Sequence, residues 1–115
     1  MDKKIENTKA QMRKGILEFC TLLVIARGSL YAADILEALK RADLLVVEGT
    51  LYPLLSRLKR DGLVNYEWQE SFGGPPRKYY ILTPKGHELI RELRTSWESL
   101  SSTLSTLIQS YEKSH

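Results

Sequence analysis

The sequence predicts a mainly α-helical fold with one β-hairpin, an α+β arrangement that ends in a helix longer than the rest of the chain can cover. Three observations predict it. Apolar residues recur at helical spacing up to Gly62, with Gly28 as a break on the way. Beyond Gly62, Val64, Tyr66 and Trp68 alternate with Asn65, Glu67 and Gln69 ahead of a Gly-Gly-Pro-Pro reversal, the period of a half-buried strand followed by a turn. From Ile90 to Tyr111, apolar residues are spaced alternately three and four apart, the repeat of a helix that packs along a seam.

A chain of 115 residues holds one domain with a modest core, or a smaller domain with one long appendage. The net charge is only +3, and the sequence pI is near 9.0, so basicity alone points weakly to an anionic partner. Cys20, the one cysteine, excludes an internal disulfide and fits a reducing compartment as a buried, inert thiol. The run Ile16–Ala26 superficially resembles a secretory signal. Glu18 inside it, Arg27 closing it, and Asp2 and Glu6 before it argue otherwise, and it falls short of the ~20 residues that span a bilayer. The expectation is a soluble cytoplasmic protein without a membrane segment.

A first helix is expected from about residue 10 to 27, apolar on nearly all sides from Ile16, as a covered central helix would be. The order of the residues before it is not legible from their pattern. After Ser29 a second short helix places Ile35, Leu36 and Leu39 on one stripe, with Asp34, Glu37, Lys40 and Arg41 off it. Leu44–Gly49 forms an apolar connector.

The stretch EGTLYPLLSRLKRDG, residues 48–62, follows. With Thr50 as N-cap, Pro53 falls in the first turn, where its missing N–H has no intrahelical partner to lose. On this reading Pro53 marks the start of the helix. Leu51, Leu54, Leu55 and Leu58 point inward; Pro53, Ser56, Arg57 and Arg60 point outward, with Tyr52 and Lys59 on one shoulder. Gly62 ends the helix. The hairpin is expected to have a long tip over Ser71–Arg77, and Thr83 with Pro84 supplies the cap of the last helix. From Pro84 to Glu112 that helix would measure roughly 40 Å at 1.5 Å per residue. Its seam residues Leu93, Trp97, Leu100, Leu104, Leu107 and Tyr111 predict homodimerisation; the alternative is a fold back onto the first helix. Residues 1–83 then form one unit and residues 84–115 a dimerisation helix.

Two short helices, a third with a cationic outer face, a glycine-rich hairpin and a dimerising helix describe a winged helix-turn-helix. The third helix would enter a DNA major groove, and the hairpin would be the wing. The residues assigned to DNA are Thr50, Tyr52, Pro53, Ser56, Arg57, Lys59 and Arg60 on the helix, and Gly74, Arg77 and Lys78 on the wing. A face with three cations is commonplace on soluble helices. The conjunction of helix, wing and seam carries the assignment.

GTLYPLLSRLKRDGLV, followed by GGPPRKYYILTPKG, resembles the PadR family of bacterial transcriptional regulators, with similarity from about Ile16 to Trp97. The resemblance implies a winged-helix dimer, built by the N- and C-terminal helices, that binds operator DNA and usually represses. It implies that Thr50, Leu51, Tyr52 and Pro53 begin the recognition helix, that Arg57 and Lys59 lie on its polar face, and that Arg77, Lys78, Tyr79 and Tyr80 form the basic-aromatic segment of the wing. One departure is visible: the family commonly opens its second helix with a Tyr-Gly-Tyr-like segment, and here Tyr31 is kept while Ala33 replaces the second aromatic. Tyr52 is assigned to DNA; Tyr79 and Tyr80 are assigned to packing within the wing. Trp97 is a seam aromatic. Similarity to multidrug-responsive members also makes it the candidate site for a small planar aromatic effector, with Ser96, Ser99 and Ser101 leaving room.

Enzymatic chemistry and cofactors are not expected. His87 and His115 stand apart, and a single cysteine does not make a thiolate metal site. GGPPRK lacks the context of a phosphate loop. Glu88 and Glu92 form a solvated i, i+4 pair. Two other classes stay open: a small-molecule sensor, and a winged helix that meets protein.

Overall fold

The structure is a computed structural model that describes residues 2–115. Its elements run α1 (Asp2–Ile25), β1 (Leu30–Tyr31), α2 (Ala32–Arg41), α3 (Glu48–Arg60), β2 (Val64–Ser71), β3 (Gly74–Leu82) and α4 (Pro84–Ser114). The three strands form an antiparallel sheet in the order β1-β3-β2. Leu22 and Ile25 of α1, Ile35 and Leu39 of α2, Leu51, Leu55 and Leu58 of α3, and Val64 of β2 make a shared, fully buried core. The helical fold with a hairpin wing is therefore the one the periodicities describe. Among the described residues no helix is long and apolar enough to cross a membrane.

The first helix begins at Asp2, well before the apolar run, and ends at Ile25. It is not covered all round: its first half is solvent-exposed in the single chain, and Leu23 is 44% exposed. Thr21, on its buried side, is fully enclosed, and its hydroxyl has no hydrogen-bond partner among the described residues. Burial pushes the Cys20 thiol up, which keeps it protonated and unreactive.

The start of α3 departs from expectation. Val47, not Thr50, is the N-cap, and the Thr50 and Leu51 amides donate to the Val47 carbonyl at 3.0 and 3.1 Å. Thr50 thus lies in the first turn and Pro53 inside the helix. Proline is tolerated there because the carbonyl it leaves without a donor belongs to Gly49, and both residues lie on the exposed face, where water substitutes. The C-terminal end agrees with the pattern: Gly62 has φ +76, and the Leu63 amide donates back to the Leu58 carbonyl at 2.9 Å.

The hairpin tip is short, not long. Ser71 pairs with Gly74, so the turn is only Phe72–Gly73, with Gly73 at φ +75. Pro75 and Pro76 belong to β3. They face an irregularity between Gln69 and Ser71, and β1 pairs with β3 only at Tyr79 and Tyr80, so their missing N–H groups break no ladder bond.

At the base of α4, the Thr83 hydroxyl accepts from the Gly86 amide at 3.0 Å and donates toward the Gly62 and Leu63 carbonyls at 2.7 and 2.9 Å. Lys85 Nζ donates to the Asp61 carbonyl at 2.9 Å. The end of α3 is thereby pinned to the start of α4. Leu89, Ile90 and Leu93 pack on the core, but beyond them Trp97, Leu100, Leu104, Leu107, Ile108 and Tyr111 are all about half exposed or more. The distal helix does not fold back onto α1.

Candidate nucleic-acid interface

Leucines at 51, 55 and 58 turn one face of α3 into the core, and this fixes what the other face offers. Tyr52, Pro53, Ser56, Lys59 and Arg60 are exposed along it, and Thr50 sits at its beginning. Arg57 is placed differently from its neighbours. Its guanidinium donates to Glu18 of α1 at 3.1 Å and lies 3.8 Å from Asp61, so it ties α3 to α1. Arg60 approaches Asp61 only at 3.8 Å with its side chain mostly in solvent, a weak pairing that a phosphate readily displaces.

The wing holds its cations over aromatic rings. Lys78 lies 4.6 Å from the Tyr66 ring centroid and 5.4 Å from that of Trp68, while Lys59 of α3 approaches Tyr66 at 5.7 Å. Arg77 sits 5.3 Å from Tyr31, which meets Tyr79 edge-on at 4.3 Å. Such stacking orients a cation without neutralising it, so both stay available to an anion. Gly74 is exposed beside the tip, and a side chain there would press on Ser71.

Between α3, the start of α2 and the wing lies a concavity of about 440 Å³, lined by Tyr31, Ala33, Tyr52, Ser56, Arg77 and Lys78 among others. No carboxylate lines it among the described residues. The Tyr80 phenol at its floor is pushed up by burial, with Tyr52 and Tyr66 adding to the effect, so it remains a neutral O–H. Ala33 is exposed on the rim, so the missing aromatic leaves the concavity open without disturbing the packing beneath α3. The arrangement offers cations, phenols and a helix edge to a polyanion that presents flat surfaces.

The structure thus brings Tyr52, Ser56, Lys59, Arg77 and Lys78 toward one face and turns Arg57 aside. Sequence reasoning missed Tyr31 and Trp68. The period-two alternation that put Tyr66 and Trp68 on one side of β2, opposite Tyr80 and Lys78, was the available signal for the second. Trp97, Leu100, Leu104, Leu107 and Tyr111 lie on the exposed stripe of α4, far along the chain from this face, whereas Leu93, expected in the seam, packs on the core of its own chain because it lies in the turns of α4 next to the head. Among the described residues no group of side chains could hold a metal ion.

A family model described as the transcriptional regulator PadR-like family matches residues 21–92. A transcriptional regulator of Mycobacterium tuberculosis is 37% identical over 76 residues, covering 66% of this chain and 70% of that protein. Among solved structures, a PadR-like transcription factor from Bacteroides fragilis is 55% identical with a TM-score of 0.75, covering 88% of this chain and 98% of its own. A PadR family transcriptional regulator from Eggerthella lenta is 30% identical with a TM-score of 0.87, covering 93% and 94%.

Proposed function

This chain belongs to the PadR-like family of transcriptional regulators, DNA-binding proteins and not enzymes, and on that premise we propose that it is a homodimeric repressor of an inverted-repeat operator. Each α3 enters one major-groove half-site, with Tyr52, Pro53, Ser56, Lys59 and Arg60 facing the bases and phosphates. Arg77 and Lys78 meet the adjacent backbone, with Gly74 allowing close approach. Thr50 stands at the groove entrance. Arg57 acts mainly by holding α3 against α1.

The observation that carries this reading is the open cleft that Arg77 and Lys78 of the wing share with Tyr52 and Ser56 of α3, lined by no carboxylate among the described residues, with Lys59 beside it against Tyr66. The bare α4 seam supports the dimer: a row of apolar residues from Trp97 to Tyr111 is left for a second copy. Residues 1–83 act as the DNA-binding head and 84–115 as the clasp. A chromosomal target places the protein in the cytoplasm. A planar aromatic effector, slotted between the two Trp97 side chains of a dimer, would release DNA by favouring one spacing of the heads over another.

The test is the affinity of Arg60→Glu for a duplex that the wild-type chain selects, measured across salt concentrations. Charge reversal weakens binding and flattens the salt dependence by about one phosphate contact, while the sedimentation of the dimer is unchanged. An unaltered affinity removes α3 from the groove and favours a sensor or a protein-binding module.

A further inference from the structure

We propose that Phe72, at the apex of the wing, is a minor-groove wedge whose ring enters the groove beside the half-site and partly unstacks one base step. The inference rests on the reading of the chain as a duplex-binding regulator and adds to it a residue and a mode of recognition.

The turn between β2 and β3 is two residues long, and the second is glycine, so Phe72 is the only side chain at the apex. Its relative exposure is 111%, more than an extended reference chain would show, so the ring touches nothing in its own molecule. Aromatic rings ordinarily bury most of their surface in a core or an interface. Here one is held out on a stiff arm. β1 accompanies β3 only as far as Tyr79, so from there to Gly74 the hairpin is a free two-stranded ribbon, about 17 Å at 3.3 Å per residue. The Ser71 hydroxyl donates to the Pro75 carbonyl at 2.8 Å, the two prolines fix their own φ, and Lys78 rests across Tyr66 and Trp68.

A minor groove is about 6 Å wide and 7.5 Å deep, too narrow for a two-stranded ribbon but open to one flat side chain. What enters is therefore decided by the apex residue. Phenylalanine is one of the apolar side chains that pry base steps apart from that side, and the flanking phosphates would meet Arg77 and Lys78 below the tip. Serine or glutamate at the apex would give the same hairpin only a backbone contact.

The experiment uses the full chain as wild type, Phe72→Ala and Phe72→Leu, with a duplex recovered from a random pool by the wild type. The duplex carries 2-aminopurine at successive positions flanking each half-site. Wild type and Phe72→Leu should raise the fluorescence at one step per half-site. Phe72→Ala should not, and it should bind roughly tenfold more weakly, the scale of one lost aromatic-base stack, with an unchanged slope of affinity against salt. The apex makes no internal contacts, so all three proteins should melt alike. Wild-type affinity and wild-type fluorescence in Phe72→Ala overturn the wedge alone, as does weaker binding with the unstacking signal intact. A wild-type chain that binds no duplex in dilute buffer overturns the regulator reading and the wedge together.

Discussion

Gly86 stands where α4 leaves the winged-helix head, and Gly86→Ala should loosen that joint. A Cβ there runs into the Leu63 carbonyl oxygen and comes within 2.6 Å of Leu82 Cδ1 and 2.9 Å of its Cγ. Carbon pairs normally rest at 3.5–4.0 Å, so α4 has to move by about 1 Å, and Leu82 cannot relieve the clash with backbone by rotating. Overpacking of this kind costs about 1–3 kcal/mol. Against it stands the helix preference of alanine over glycine, up to about 1 kcal/mol and smaller in a first turn. Displacement also strains the Thr83 cap, whose hydroxyl serves both Gly86 and the end of α3. The balance is a loss of about 2 kcal/mol, or roughly 10 °C in melting temperature for a chain of this size. Thermal unfolding followed by circular dichroism, with both proteins at one concentration because a dimer's midpoint depends on it, measures this directly. An unchanged or higher midpoint would mean that helix propensity outweighs the clash, and the tight joint would be refuted.

Three other outcomes follow from the same geometry. Thr21→Val replaces a buried hydroxyl that has no partner with a methyl group of similar shape, and should raise the denaturant midpoint by the equivalent of about 1 kcal/mol; a lower midpoint would show that the hydroxyl is satisfied. Glu18→Gln releases the Arg57 guanidinium from its partner on α1, so duplex binding should strengthen and log affinity should fall more steeply with log salt by up to about 0.9, while stability drops by less than about 1 kcal/mol because the pair is partly solvated. For the effector, a planar cationic dye should quench tryptophan fluorescence in the wild type and in Trp68→Phe but not in Trp97→Ala; equal quenching in all three would remove Trp97 from any ligand site.

Much of the fold was legible because its signals are local. Thr83 and Pro84 are adjacent, and both the cap and the helix start lie where that pair puts them. The three-and-four spacing from Ile90 onward needs only one helix to be read; its first two members, Ile90 and Leu93, pack on the core, and from Trp97 it marks the stripe that the single chain leaves exposed. The start of α3 was misread because its N-cap is Val47, which has no capping side chain, whereas Thr50 and Pro53 both carry the chemistry of a helix start. The proline signal assumed a covered backbone; at an exposed Gly49 the penalty is small. The wing tip was misread because prolines are ordinarily excluded from strands, and Pro75 and Pro76 are admitted by an irregularity in the β2–β3 pairing on one side of β3 and by a β1 that reaches only Tyr79 on the other. β1 itself, at two residues, is too short to show a period.

The candidate interface was legible only in part. The outward face of α3 follows from its leucines, but the fate of each cation on it does not. Arg57 and Glu18 are 39 positions apart, and only the crossing of α1 and α3 brings them together. Tyr31, Tyr52 and Lys78 reach one concavity from α3, from the wing and from the segment leading into α2, so no window of sequence holds them. Arg60 and Lys59, by contrast, stand where helical periodicity placed them.

Whether two clasped chains present two α3 helices to one duplex is decided by sequencing the fragments that the 115-residue chain retains from a random duplex pool. A clasped dimer should enrich an inverted repeat whose half-site centres lie about 34 Å, one helical turn, or a small multiple of it apart. No enrichment, or a single asymmetric site occupied by one chain, would contradict it.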